Sequence, residues 1–189
     1  MQLNRGLLVS CGRNLERAAA SEMVHVLKEK LDMPSSKLRA RPIGISGLIN
    51  VRLEKSVSIL ETIKELIALE EDGPYFMHVL KIKPIDEVIP ADLETMKEII
   101  PKLIEGYEGS YKVVAKKRHS SLSTSIIIEA AASVVPNPVD LTNNRWELII
   151  EVVGNKMGLA AAPKGYIYST LKSREPPKKE DWFLEGLED

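Results

Sequence analysis

The chain has 189 residues, of which 44% are hydrophobic and 28% charged, with a formal net charge of −1. These values place it among globular proteins of one or two small domains and exclude wholesale disorder and a histone-like polyanion binder, while leaving room for a local basic patch. Its single cysteine, Cys11, excludes an internal disulfide and an all-cysteine metal site, and the apolar N-terminal run is too short for a signal peptide or membrane span; a soluble cytoplasmic protein is expected.

In chain order, GLLVSC (Gly6 to Cys11) reads as a short buried strand. Asn14 is the expected N-cap of a helix through LERAAASEMVHVLKEKL, with Leu15, Ala18, Ala19, Met23, Val26 and Leu27 at helical spacing. Two extended pieces follow, KLRARPI and GLINVRL, separated by Gly44 and Gly47. SVSILETIKELIALE is a second helix, with Val57, Leu60, Ile63 and Ile67 as its apolar face. YFMHVLKIKPI closes the unit as a strand in which Phe76, His78, Leu80 and Ile82 alternate with Met77, Val79, Lys81 and Lys83. The order β-α-β-β-α-β predicts a ferredoxin-like N-terminal domain over residues 1–84.

A second unit, residues 85–165, begins with a helix from Asp92 to Glu105, which Pro101 should kink or divide. A strand from Tyr111 to Ala115, a basic turn and a helix from about Ser123 to Val135 come next. After a loop containing two prolines, Trp146 to Val153 is an apolar strand, and Gly154-Asn155 turns it into its hairpin partner, Lys156 to Ala162. The fold class expected is α+β, with an α/β second domain built on a mixed sheet. Residues 166–189 form a tail.

The run YKVVAKKRHSSLSTSIIIEAAASVV concentrates basic side chains at its front, with no acid between Glu108 and Glu129. Lys116 lies on one strand face with Lys112 and Val114, Lys117, Arg118 and His119 fall at the strand-to-helix turn, and the hydroxyls from Ser120 to Ser125 open the helix. Unpaired N–H groups, a positive dipole end, cations and hydroxyls are the parts of a phosphate seat; the alternative is a solvated turn with serine caps. The turn lacks the glycines that wrap a free triphosphate. A second acid-free window contains Lys37, Arg39, Arg41 and Arg52, and Lys81 and Lys83 lie on the strand where the units meet. If these faces converge they form one basic groove; otherwise these residues are ordinary edge-strand charge, which protects sheets from aggregating.

Enzyme readings have less support. Cys11 lies between a strand and a helix start, where a thiol can ionise, but nothing places His25, His78 or His119 beside it. No two histidines have metal spacing, no dinucleotide fingerprint follows a strand, and Asp140 reads as a turn former. Neither a metal nor a cofactor is expected.

The stretch just quoted, followed by PVDLTNNRWELIIEVVGNKMGLA, resembles the THUMP domain, an RNA-binding module of tRNA-modifying proteins. The resemblance lies in a strand entering a basic K-R-x-S turn, a helix, then "VDL-x-N" before an "IEV" strand and hairpin. The β-α-β-β-α-β segment resembles the ferredoxin-like domain that commonly precedes THUMP. One departure is Asn144, where many members carry proline.

The resemblance implies binding of tRNA at its acceptor-stem end, with Lys116, Lys117, Arg118, His119 and Ser120 as the contacting turn; on its chemistry Arg118 suits bidentate phosphate contact and the lysines act as point charges. Arg39, Arg41, Arg52, Lys81 and Lys83 join them on charge alone. The sequence contains no pyrophosphatase SGG loop, methyltransferase glycine motif or H-x-E with P-C-x-x-C zinc pattern. A non-catalytic adaptor that presents tRNA to an enzyme such as a cytidine acetyltransferase is therefore expected. The alternative is an interaction or scaffold module acting through PPKKEDWFLEGL, whose Trp182, Phe183, Leu184 and Leu187 either fold back or anchor a partner, the enzyme or a second copy.

Overall fold

The architecture comes from a computed structural model of the protein, which describes residues 2–69 and 73–170. Two sheets carry it. The first is built from β1 (Gly6–Cys11), β2 (Leu38–Pro42), β3 (Leu48–Leu53) and β4 (Val79–Ile85), ordered β2-β3-β1-β4 with every neighbour antiparallel. The helices α1 (Glu16–Glu29) and α2 (Ile59–Leu69) cover one face. Inward side chains of alternate strand positions, among them Leu7, Val9, Ile49, Val51 and Ile82, meet Met23, Leu27, Ile63 and Leu66 there.

Several local expectations are corrected. Asn14 is not the N-cap of α1: it sits at φ 64, a left-handed geometry asparagine tolerates, and Leu15 takes the cap position. The carboxylate of Glu16 takes over, accepting from Asn14 N (3.2 Å) and Gly47 N (2.6 Å). The buried stripe of α2 is Ile59, Thr62, Ile63 and Leu66; of the expected face, Ile63 lies in it and Val57 and Ile67 pack half-buried against the same core. Leu60 instead reaches a small cluster on the second sheet with Ile149 and Ala160. In β4 the simple alternation fails because the register shifts at Ser10/Cys11, leaving Leu80 as an extra residue between Lys81 and Val79. Val79 and Ile82 thus both face the helices.

The second sheet is mixed, in the order β5-β8-β7-β6: β5 (Glu87–Pro90), β6 (Tyr111–Arg118), β7 (Trp146–Val153) and β8 (Lys156–Pro163). β6 runs parallel to β7, and the other pairs are antiparallel. α3 (Leu93–Leu103) and α4 (Thr124–Ala132) pack on one face, around Tyr111 stacked on Trp146 at 4.8 Å. Strand β5 has no counterpart among the elements expected from the sequence: it is four residues long and ends on Pro90, which an edge strand tolerates. Helix α3 continues through Pro101 to Leu103 without division, because the proline falls in its last turn. Asp92 caps it by accepting from Thr95 N at 2.8 Å.

The units interlock. A single residue, Asp86, separates β4 from β5, and its N–H donates to Leu159 O at 2.8 Å. A Cβ on Gly158 would stand 2.7 Å from Ile85 Cδ1 and 3.1 Å from Leu3 Cδ2, so the missing side chain lets the sheets close. Residues 166–170, which the sequence places in a tail, return to the first sheet: β9 (Tyr168–Ser169) pairs with β4. Trp182, Phe183, Leu184 and Leu187 lie outside the described residues.

Candidate nucleic-acid interface

Register decides which basic residues share a surface. Cross-strand partners point the same way, so the rows Arg39–Arg52–Gly6–Ile85, Arg41–Asn50–Leu8–Lys83 and Leu48–Ser10–Lys81 all lie on the helix-free face of the first sheet. Arg39, Arg41, Arg52, Lys81 and Lys83 are thereby brought onto one face, and β1 to β4 contain no acidic residue. At about 4.8 Å per strand, the row from Arg41 to Lys83 is about 14 Å wide. Arg39, Arg41 and Arg52 are exposed and line a depression with Gln2, Asn4 and Asn50. Asn50 is buried and fully engaged: its Oδ1 accepts from Asn4 N (2.9 Å) and its Nδ2 donates to Leu7 O (3.0 Å), which fixes the chain entering β1.

The second basic window is arranged differently from expectation. Lys116, Lys117 and Arg118 belong to β6, which runs to Arg118, and only His119 and the serines form the turn. Pairing with β7 extends the strand, since Lys116, Lys117 and Arg118 stand opposite Glu151, Val152 and Val153. Lys116, Lys117 and His119 are exposed. Lys117 Nζ donates to Ser120 O (3.3 Å), and His119 turns the chain at φ 54. Ser123 caps α4 by accepting from Ile126 N at 3.2 Å. His119, Ser120, Ser121 and Leu122 line a shallow hollow with Ala91, Gly154 and Asn155. Of the isoleucines in α4 only Ile127 is buried; Ile126 and Ile128 are exposed, so the helix is less core-facing than its sequence suggests.

Arg118 and Lys83 do not present free charge. The guanidinium of Arg118 donates from Nη1 to Glu151 Oε2 at 2.6 Å, and Lys83 Nζ pairs with Glu151 Oε1. The Glu151 side chain has 0% exposure and that of Arg118 17%. A bidentate phosphate contact by Arg118 would compete with this pair. The same contact joins the two basic windows, since Lys83 comes from the first sheet and Arg118 from the second. Sequence reasoning misses Glu151 because it lies in the apolar "IEV" strand; an acid at an otherwise apolar strand position is the available signal. Lys112 is similarly paired, with Glu147 at 3.1 Å.

Other sequence candidates resolve simply. Burial, and then Glu16, push the Cys11 thiol up to about 11, so it is protonated at neutral pH. Asp140 forms the expected turn, accepting from Thr142 N (2.9 Å) and Asn143 N (2.7 Å), and these bonds hold its carboxyl below the usual range. Asn144 is buried and donates to Trp146 O at 2.9 Å, a bond proline could not make. Among the described residues no group of three or more His, Cys, Asp or Glu side chains could hold a metal ion, and no helix is long and apolar enough to cross a membrane.

No protein-family model and no curated protein matches the chain. Solved structures do. PH1313 from Pyrococcus horikoshii Ot3 matches with a TM-score of 0.58 at 16% identity, over 85% of this chain and 57% of that one. TrmN from Thermus thermophilus matches at 0.56 and 14%, over 83% and 46%. A 4-thiouridine synthetase solved as an RNA complex with bound ATP matches at 0.52 and 14%, over 86% and 44%. The chain thus spans about half the length of these proteins. At such identities the likeness is one of fold alone, an α+β arrangement shared with these proteins.

Proposed function

We propose that the protein is a non-catalytic, cytoplasmic tRNA-binding protein that presents tRNA to a modification enzyme such as a cytidine acetyltransferase. The first unit is read as ferredoxin-like on its β2-β3-β1-β4 antiparallel order, and the second as THUMP-like. The observation that carries the reading is the register that puts Arg39, Arg41, Arg52 and Lys81 on one helix-free face, joined through Lys83, Glu151 and Arg118 to the end of β6 with Lys116 and Lys117. Cations at strand spacing suit the regularly spaced phosphates of a nucleic-acid backbone. The RNA-bound structure of the 4-thiouridine synthetase, of like fold, adds support.

The test is a titration of unfractionated tRNA against the protein at increasing salt. Affinity should fall with salt, and the double substitutions Lys116→Ala/Lys117→Ala and Arg39→Ala/Arg52→Ala should each weaken binding and flatten the salt slope by about 0.7–0.9 for every phosphate no longer neutralised. Absence of binding, or equal binding by both variants and the wild type, would overturn the reading. The adaptor role is checked by sequencing tRNA from cells lacking the protein, where one modified base should disappear.

A further inference from the structure

We infer that Glu151 is a positioning residue of the RNA-binding surface: by holding Lys83 of one sheet and Arg118 of the other on a single carboxylate, it fixes the end of β6 and the 119–123 turn in the geometry that receives RNA. The inference rests on the RNA-binding reading above. Glu151 sits on β7 with no solvent exposure, and each of its oxygens accepts from a different cation. A buried carboxylate is costly unless its lone pairs are met, and here two cations meet them from opposite sides of the junction between sheets.

Arg118 is the last residue of β6 and is held twice. Its guanidinium is held by Glu151, and its carbonyl accepts from Gly154 N at 2.9 Å. The next residue, His119, reverses the chain at φ 54, and Lys117 ties back to Ser120 O across that reversal. The exposed turn therefore starts from a strand end anchored to the buried carboxylate. Lys83 is 8% exposed, so its contribution to binding passes through Glu151 rather than through contact with RNA.

Charge alone predicts that removing an acid beside a basic surface strengthens binding to a polyanion. Positioning predicts the reverse, because a loosened turn must be ordered when RNA binds.

The experiment compares tRNA affinity for Glu151→Gln, for Glu147→Gln and for the double variant Lys83→Met/Glu151→Met. Glu147 lies on the same face of β7, paired with Lys112, and its substitution makes the same charge change away from the turn. The double variant keeps the net charge and leaves neither a buried carboxylate nor the Lys83 ammonium unpaired; only Arg118, 17% exposed, loses its partner, so it should fold even where Glu151→Gln does not. The expected result is about tenfold weaker binding for the folded Glu151 variants, with Glu147→Gln equal or tighter. Amide exchange without RNA supplies a second readout: Gly154 N–H, bonded to Arg118 O, and Leu122 N–H, bonded to Ser120 Oγ, should exchange about tenfold faster in the Glu151 variants while Leu8 in β1 is unchanged. Unchanged or tighter tRNA binding by the folded Glu151 variants overturns the inference, as does unchanged exchange at Gly154 and Leu122. If the wild-type protein binds no tRNA, the function itself fails, and exchange alone decides whether Glu151 holds the turn.

Discussion

Arg118 Nη1 lies 2.6 Å from Glu151 Oε2, so the most phosphate-suited side chain of the basic run is turned toward the interior. This separates two roles that look alike in the sequence. Arg118→Ala removes one of two cations from a buried carboxylate that keeps Lys83, and should cost about 1–3 kcal/mol. Lys117→Ala removes an exposed side chain and should stay within about 0.5 kcal/mol of the wild type while weakening RNA binding. Denaturant titration of both variants, beside their tRNA affinities, checks the division. A drop in stability confined to Lys117→Ala would contradict it.

Arg39 and Arg52 face each other across β2 and β3. Like charges directly opposite on a sheet repel, typically by about 0.2–1 kcal/mol. Arg39→Thr on the edge strand β2, which keeps good strand character, should therefore raise stability by about 0.5 kcal/mol and at the same time lower tRNA affinity. Protection of an edge strand, the competing explanation for arginine here, predicts instead more aggregation with unchanged RNA binding. Light scattering and the tRNA titration on the same preparation separate the two.

Asp86 supplies a pH dependence of definite sign. Burial is the main cause that raises its carboxyl from 3.8 to about 6, against the opposing effects of Arg5 and the Ala161 N–H. The folded state thus holds a proton that the unfolded chain releases, so this group's contribution is full below about 4 and lost as pH rises through about 6. Asp86→Asn should abolish that slope and stabilise the protein at pH 7 by about 1–2 kcal/mol. Asp92 and Asp140 act oppositely, since their bonds to backbone N–H groups hold them below the usual range; their contribution disappears only in acid. Melting temperature against pH, wild type beside Asp86→Asn, measures the difference.

What the sequence disclosed was governed by local chemistry. The Gly154-Asn155 hairpin, the strand Gly6–Cys11, the Asp140 turn and the start of α4 all follow from neighbouring residues, and each lies where it was expected. Features that depend on distant partners were hidden. β5 exists because β8 offers it an edge, β6 extends to Arg118 because β7 continues beside it, and the bulge at Leu80 depends on pairing with β1. The candidate site divides in the same way. Its cations could be found by counting, but the exposed ones could be told from those buried on Glu151 only once register was known.

Gly158 tests whether the seam between the sheets is as tight as the geometry implies. A methyl group there would meet Ile85 Cδ1 at 2.7 Å and Cγ2 at 3.1 Å, and Ile85 is fully buried with no easy direction to yield. Gly158→Ala should cost about 1–3 kcal/mol by overpacking. Ile85→Val removes the nearer of those two atoms and alone should cost about 0.5–1.5 kcal/mol. Combined, the two should cost less than their sum by about 1 kcal/mol, because the second substitution makes room for the first. Four urea titrations close the cycle. Simple additivity would mean that the sheets part to admit the methyl, in which case the Lys83–Glu151–Arg118 contact, which spans the same seam, should loosen with it.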